Sequence, residues 1–234
     1  MITDSHLHLD NKRFRSAFEA AGHLNKDRVA AGINNCLVLH LLNQGWTVGE
    51  FIAALEPFSN LYGLINLLPS DPECKKILKE SIASRNIIGL KLHPRVQKFS
   101  LLDQNVTDLV EYAGDINCPV LIDAFPDGTI LEQGFSPLAY AKLARRCPNT
   151  NIVIAHMGGH YVLDFMMLAK RIPNIYFDLS YSFLYYRGSS IPQNMAYAMR
   201  SLRYERVMYG SDYPDRSLKE TLQETLKLFE VFGI

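Results

Sequence analysis

Short apolar runs and longer helix-like stretches alternate eight times along this chain, and no linker interrupts the pattern. The runs are rich in β-branched and aromatic residues, which favour strands, whereas the longer stretches show helical periodicity. We predict strands over Ile2–Leu9, Ile33–Leu41, Leu61–Leu68, Ile87–His93, Pro119–Phe125, Asn151–His156, Asn174–Ser180 and Arg206–Asp212. We predict helices over Phe14–Ala31, Val48–Pro57, Asp71–Ser84, Val106–Ile116, Pro137–Arg146, Tyr161–Arg171, Ile191–Leu202 and about Ser217–Phe232.

Eight strand–helix units in one undivided chain indicate an α/β protein with a closed parallel sheet, the (β/α)8 or TIM barrel. An open doubly wound sheet usually has a glycine-rich phosphate turn after its first strand, whereas Leu9-Asp10-Asn11-Lys12 contains no glycine. The length of 234 residues is close to the roughly 250 residues typical of the fold. We therefore expect residues 1–234 to form one compact barrel domain.

The composition argues against several classes of partner. Lys and Arg number 24, as do Asp and Glu, so the neutral chain has little attraction for nucleic acid or an anionic membrane. No apolar run approaches the roughly 20 residues that span a bilayer, and the polar N-terminus is unlike a signal peptide. The four cysteines are widely spaced and form no Cys-x-x-Cys pair. We expect a cytoplasmic protein with reduced thiols and no nucleic-acid or membrane partner.

Ionisable side chains cluster at the carboxyl ends of the predicted strands, where barrel enzymes have their active sites. They are His6 and His8 on the first strand, His40 on the second, Lys91 and His93 on the fourth, Asp123 on the fifth, His156 on the sixth and Asp212 on the eighth. Because side chains alternate along a strand, His6 and His8 share a face and can converge on one metal ion. Burying so many unpaired groups for structure alone would cost several kcal/mol each. We therefore interpret the cluster as a site for a metal or a polar substrate.

Four motifs stand in strand order along the chain. They are Asp4-x-His6-x-His8, Gly89-Leu-Lys91-Leu-His93-Pro94, His156-Met-Gly158-Gly159 and Gly210-Ser-Asp212-Tyr-Pro214. Together they resemble the amidohydrolase superfamily, and more closely its amidohydrolase 2 branch of hydrolases, lactonases and non-oxidative decarboxylases. The resemblance implies a divalent metal, usually zinc, that is held by His6 and His8 and faces Asp212. It also implies that Asp212 takes a proton from metal-bound water or substrate, and that His156 orients or protonates the substrate.

One position departs from the pattern of this branch. The run Pro119-Val120-Leu121-Ile122-Asp123 ends in Asp123, where metal-dependent members usually have a histidine. Asp123 can bind zinc through oxygen, which would complete a site of His6, His8, Asp123 and Asp212 that manganese or magnesium could also occupy. Alternatively the metal is weakly bound or absent, as in lactonases of the branch that work without one. We expect one metal rather than two, and an unmodified Lys91 that stabilises charge or contacts the substrate together with His93.

The segments after the fourth and seventh predicted strands supply further candidate contacts to a substrate. Arginine forks fit carboxylates and tyrosines form flat walls with a polar tip, so a small carboxylated ring or lactone would suit this lining. The predicted substrate-binding residues are Lys91, His93, Arg95, His40, Tyr181 and Arg187. The tyrosine-rich stretch that begins at Tyr181 could equally pack against a second subunit, since barrels of this kind are often homodimers.

Three functions follow from this reading. The first is a hydrolase that cleaves a C–O or C–N bond of a small carboxylated amide, ester or lactone, using metal-activated water and Asp212 as base. The second is a non-oxidative decarboxylase or a metal-independent lactonase of the same branch; decarboxylation would release carbon dioxide without consuming water. The third is a barrel that binds a ligand without catalysis, which only the departure at Asp123 supports.

Overall fold

One eight-stranded parallel sheet, with each strand beside the next in chain order, forms the centre of the protein. The computed structural model describes residues 1–234. The strands are β1 (Thr3–Leu7), β2 (Asn35–Leu39), β3 (Leu61–Asn66), β4 (Ile87–Leu92), β5 (Val120–Ile122), β6 (Ile152–Ile154), β7 (Ile175–Asp178) and β8 (Val207–Met208). Every one of them lies inside its predicted run.

Backbone hydrogen bonds close the sheet between its first and last strands. Ser5 N donates to Tyr209 O at 2.8 Å, Asp212 N donates to His6 O at 2.8 Å, and His8 N donates to Tyr213 O at 2.7 Å. These bonds join β1 to the segment that follows β8, so the sheet curls round on itself. The protein is a (β/α)8 barrel, and the predicted fold is confirmed.

The helices surround the sheet and include all eight that the periodicity predicts. They are α1 (Ala17–Ala30), α2 (Val48–Leu55), α3 (Cys74–Ile82), α4 (Pro94–Gln97), α5 (Gln104–Asp115), α6 (Gly128–Glu132), α7 (Pro137–Arg146), α8 (Val162–Ala169), α9 (Ser182–Tyr185), α10 (Ile191–Ser201) and α11 (Leu218–Phe232). The unpredicted helices α4, α6 and α9 have only four or five residues, too few to show a helical period. All three lie in loops that follow strands, on the face where a barrel carries its site.

Local sequence signals explain where the long helices begin. The Thr47 hydroxyl accepts the backbone N–H of Glu50, and the Glu50 carboxylate accepts the backbone N–H of Thr47, which forms a capping box at α2. Ser217 caps α11 in the same way by accepting the backbone N–H of Glu220. Pro137 occupies the first turn of α7, where its missing N–H would have no partner in any case.

Two apolar clusters fill the two sides of the sheet. The larger one, of 54 buried residues, packs the sheet against the surrounding helices. The smaller one fills the inside of the barrel and consists of Leu39, Leu64, Leu121, Val153 and Ala155. Asn66 and Asp123 lie two residues after Leu64 and Leu121, so their side chains are on the same inner side of the sheet. Both of these polar residues are buried. The packed interior therefore forms the floor of a polar site at the carboxyl ends of the strands.

The four cysteines are buried and none forms a disulfide. No helix has both the length and the apolar composition that crossing a membrane requires.

Candidate metal centre and active site

Three ligand atoms converge where the end of β1 meets the segment after β8. His6 Nε2 lies 3.5 Å and His8 Nε2 lies 3.6 Å from Asp212 Oδ1. One ligand atom from each of the three residues lies within 4.8 Å of the other two. The two imidazoles lie on the same side of the strand, with ring centroids 5.5 Å apart, as the alternation along a strand predicts.

Both imidazoles present an unprotonated nitrogen to Asp212. His6 Nδ1 donates to Asp178 Oδ2 at 3.1 Å, and His8 Nδ1 donates to the carbonyl oxygen of Leu39 at 2.9 Å. Burial lowers the pKa of both rings, that of His8 to about 3, so each ring is neutral at pH 7 with its single proton on Nδ1. Two lone pairs therefore face a carboxylate oxygen, an arrangement that a cation stabilises. Two nitrogens and an oxygen form a donor set that suits zinc.

Asp178, at the end of β7, is the site residue that the sequence analysis missed. Its Oδ1 accepts hydrogen bonds from the backbone N–H groups of His156 and Ser180, at 3.1 and 3.0 Å, and from the Ser180 hydroxyl. Burial would raise the pKa of Asp178, but His6, His156 and these hydrogen bonds hold it well below its usual range. Asp178 therefore orients the His6 ring and holds the backbone of His156. In the sequence, Asp178 could have been recognised as a candidate by its position near the end of a predicted strand, a position that it shares with Asp123.

We expect Asp178→Asn to weaken zinc binding roughly 10- to 100-fold, because an amide is a poorer acceptor than a carboxylate for the His6 Nδ1–H. The measurement is the zinc dissociation constant, obtained by competition with a chelating dye. Asp215→Asn is the matched control, since Asp215 lies three residues after Asp212 in the sequence and its side chain bonds to neither His6 nor His8. Equal zinc affinity in Asp178→Asn and the control would contradict the role given to Asp178.

Asp123, at the end of β5, faces His156 and His93. Its Oδ1 lies 3.1 Å from His156 Nε2, and its Oδ2 lies 3.5 Å from His93 Nδ1. The other nitrogen of His156, Nδ1, lies 3.0 Å from the carbonyl oxygen of Ser180. Two sets of ligand atoms lie close enough to hold an ion, one from His6, His8 and Asp212 and the other from His6, His156 and Asp178, and Asp123 belongs to neither. Its role as a metal ligand stays a prediction, and its observed contact is with His156.

His156 is a buried imidazolium. Both of its nitrogens face acceptors, so both carry a proton. Burial lowers the pKa of His156, but the hydrogen bond to Asp123 and the surrounding carboxylates outweigh burial and raise it to about 9. The site thus contains a fixed positive charge beside the three converging ligand atoms.

The imidazolium makes the stability of the metal-free protein depend on pH. The pKa of His156 rises from 6.5 to about 9 on folding, so its contribution is complete below pH 6.5 and is lost as the pH rises through 9. We expect the free energy of unfolding to fall by about 3 kcal/mol across that window, as measured by urea denaturation. Asp123→Asn should flatten this slope. An equally steep slope in the variant would show that the pair does not stabilise the fold.

A cavity of about 230 Å³ opens beside His156 and Asp212, and its lining includes an aromatic wall. The residues that line it are Arg95, Phe125, Asp127, His156, Tyr181, Asp212 and Asp215. The Tyr181 ring stacks on Tyr185 and meets the edge of Phe125, with centroids 5.0 and 5.4 Å apart. Arg95 Nη1 lies 2.6 Å from Asp127 Oδ2. The cavity therefore combines a flat wall with a guanidinium, as a small ring bearing an anionic group would require.

Lys91 and His93 lie buried at the same end of the barrel. Lys91 is 1% exposed, and no carboxylate oxygen lies within 4.0 Å of its Nζ. Burial lowers the pKa of Lys91, while Asp123, Asp178 and Asp212 oppose that shift. Burial also lowers the pKa of His93 to about 3, so its ring is neutral.

The structure does not bring His40 and Arg187 to the cavity. His40 Nε2 donates to the carbonyl oxygen of Trp46 at 2.9 Å, and His40 Nδ1 accepts the backbone N–H of Asn66 at 3.4 Å. Both nitrogens are thus used inside the fold. The Arg187 side chain is 62% exposed and lies 3.6 Å from Glu224 on the surface.

Strained backbone positions surround the site. His156, Tyr181 and Asp212 have φ angles of 58°, 59° and 59°, a region that few residues other than glycine adopt. A Cβ at Gly158, where φ is 69°, would overlap the Phe165 ring. The Gly158-Gly159 motif is therefore needed for the tight turn that leaves β6 and places His156 over the barrel.

Comparisons with known proteins give one family and one fold. The amidohydrolase 2 family model, described as amidohydrolase, matches residues 15–233, a range that begins after His6 and His8. A search of curated protein sequences finds no significant match.

Three solved structures illustrate the shared fold. A probable 2-pyrone-4,6-dicarboxylic acid hydrolase from Acinetobacter baumannii, with citric acid bound, is 15% identical; the alignment covers 99% of this chain and 92% of that chain, with a TM-score of 0.69. An amidohydrolase from Burkholderia multivorans with bound zinc is 14% identical, with coverages of 99% and 92% and a TM-score of 0.63. The 5-carboxyvanillate decarboxylase from Sphingomonas paucimobilis is 14% identical, with coverages of 100% and 99% and a TM-score of 0.66.

Proposed function

The chain belongs to the amidohydrolase family, and from this premise we propose that it is a metal-dependent hydrolase of a small carboxylated ester, lactone or amide. The observation that carries the proposal is the pair of Nε2 lone pairs that His6 and His8 direct at Asp212. Charge supports it as well. The carboxylates that line the cavity or contact the site histidines outnumber the cationic groups Lys91, Arg95 and His156, and a divalent cation would balance that excess. These carboxylates are Asp123, Asp127, Asp178, Asp212 and Asp215.

The metal, zinc by its donor set, would be held by His6, His8 and Asp212, and when bound supplies Lewis acidity at the bond to be cleaved. Burial would raise the pKa of Asp212, but the neighbouring His6, His156 and His8 hold it below its usual range. Its carboxylate is therefore ionised at pH 7. Since Oδ1 faces the two imidazoles and no protein group bonds Oδ2, the second oxygen is free to accept a proton from the attacking water.

His156 stabilises negative charge as it develops on the substrate. It lines the cavity and keeps its positive charge because Asp123 and the Ser180 carbonyl accept both of its protons. A charge that is fixed before the reaction needs no reorganisation when the bond breaks. The Nε2–H that it shares with Asp123 would also supply a proton to the leaving group.

The substrate we propose is a small carboxylated ring, of which a lactone is the simplest case. Arg95 offers a guanidinium to a carboxylate, and the Phe125 and Tyr181 rings offer a flat wall. Two proteins of the same fold are named for carboxylated compounds, the dicarboxylic acid hydrolase and the carboxyvanillate decarboxylase. A decarboxylase is accordingly the second candidate, since the same cationic groups would also hold a substrate carboxylate.

The test is a screen of lactones and esters of small carboxylic acids with zinc-loaded protein in water enriched in oxygen-18. Hydrolysis places one labelled oxygen atom in the product, and mass spectrometry detects it. Release of carbon dioxide with no label in the organic product would replace the hydrolase by the decarboxylase. Full activity after zinc removal by a chelator would point to a metal-independent lactonase. Asp212→Asn serves as the inactive control.

A further inference from the structure

A second and larger cavity, of about 630 Å³, adjoins the candidate site beside β4 and β5. It is open to solvent and is bordered by α4 and the segment after it, by α6, and by the start of α7. Arg95 lines this cavity as well as the catalytic one. Tyr140 lies in its wall and donates its hydroxyl hydrogen to the backbone carbonyl of Asp123 at 2.7 Å. Two contacts thus place the second cavity against the catalytic groups.

The lining of this cavity combines apolar walls with neutral polar side chains, and its charged residues are both cations. Phe99, Leu101, Ile130 and Phe135 are among its walls, and it contains Arg95 and Lys98 but no Asp or Glu. Neutral polar side chains complete the lining: Ser100, Thr129, Gln133, Ser136 and Tyr140. A cavity that combines apolar walls with cations as its only charged residues favours an amphipathic anion.

Both cations have unused capacity to bind an anion. Lys98 is exposed, and no carboxylate oxygen lies within 4.0 Å of its Nζ. Arg95 uses Nη1 for Asp127, while its Nε–H is buried and has no acceptor. A buried donor without an acceptor is unfavourable, and an anionic oxygen would satisfy it.

We propose that this cavity is a second substrate subsite, which binds an apolar arm of the substrate that ends in a carboxylate held by Arg95 and Lys98. This inference rests on the proposed hydrolase and extends its substrate class. The catalytic cavity of about 230 Å³ is smaller than the roughly 300–1,000 Å³ of most small-molecule sites, and the second cavity supplies the additional volume. The Arg95–Asp127 ion pair lies at the boundary between the two cavities.

The probe is 1-anilinonaphthalene-8-sulfonate, an aromatic anion whose fluorescence rises in apolar surroundings. Ala139 lines the cavity, so Ala139→Phe should fill it and weaken probe binding about tenfold. Lys98→Gln should weaken probe binding roughly threefold. The matched controls are Ala53→Phe and Lys79→Gln, which alter exposed residues of α2 and α3 and should bind the probe as the unaltered protein does. Circular dichroism confirms that each variant is folded.

Two comparisons separate this inference from the proposed function. N-phenyl-1-naphthylamine, the uncharged counterpart of the probe, should bind more weakly than the probe. In Lys98→Gln the affinities of the two compounds should be closer to each other. Asp212→Asn abolishes the proposed hydrolysis but should leave probe binding unchanged. Equal binding of the probe by Ala139→Phe and Ala53→Phe would overturn the subsite, as would loss of probe binding in Asp212→Asn. Equal affinity for the charged and uncharged probes would overturn the assignment of an anionic arm.

Discussion

Asp212→Asn should lower kcat about a thousandfold or more while leaving the barrel folded. The variant loses the proposed base and weakens the proposed metal centre, because an amide oxygen carries no charge. Asparagine also keeps the size of the side chain and is one of the few residues that tolerate the φ of 59° found here. We therefore expect activity to fall without loss of fold. Circular dichroism and the melting temperature test whether the variant is folded.

The control for this variant is Asp215→Asn, which alters another carboxylate in the lining of the same cavity. Asp215 bonds to no histidine of the site, so its replacement should change kcat by less than about tenfold. A kcat for Asp212→Asn within tenfold of the unaltered enzyme would remove Asp212 from the role of base.

His156→Asn should lower kcat about a hundredfold or more, with zinc content close to that of the unaltered protein. The imidazolium lines the same cavity as the proposed base, and asparagine at φ 58° keeps the backbone turn but has no charge. Low kcat with normal zinc content would distinguish His156 from the proposed metal ligands, because replacing a ligand should lower both activity and zinc content. Loss of zinc from His156→Asn would instead make it a ligand or a support for His6, and an unchanged kcat would exclude it from catalysis.

The barrel and the pairing of His6 with His8 are predictable from sequence because both rest on short-range periodicity. Alternation along a strand places both imidazoles on one face, and the structure shows their Nε2 atoms within 3.6 Å of Asp212 Oδ1. The contact between Asp123 and His156 depends on how two strands are placed side by side, which no local pattern encodes. The pattern of its own strand predicts that Asp123 is a metal ligand. In the structure, its partners are His93 and His156, which follow β4 and β6.

Other site features were less accessible to sequence reasoning. Asp178 is a lone acid between apolar residues, and its importance appears only once β7 lies close to β1, where it accepts the His6 Nδ1–H. His40 ends a strand as the candidate site residues do, but a loop carbonyl from Trp46 accepts a hydrogen bond from its Nε2. Residue type and strand end thus indicate candidates, while the choice between ligand, support and structural residue depends on tertiary contacts.

Zinc content tests the proposed centre most directly. Plasma mass spectrometry on protein purified without an affinity tag or chelator should find about one zinc per chain. In the double variant His6→Gln, His8→Gln the content should fall below roughly a tenth of that value, with circular dichroism as the control for folding. A folded, unaltered protein that contains no divalent metal and takes none up from zinc-containing buffer would contradict the metal centre and the hydrolase proposed from it.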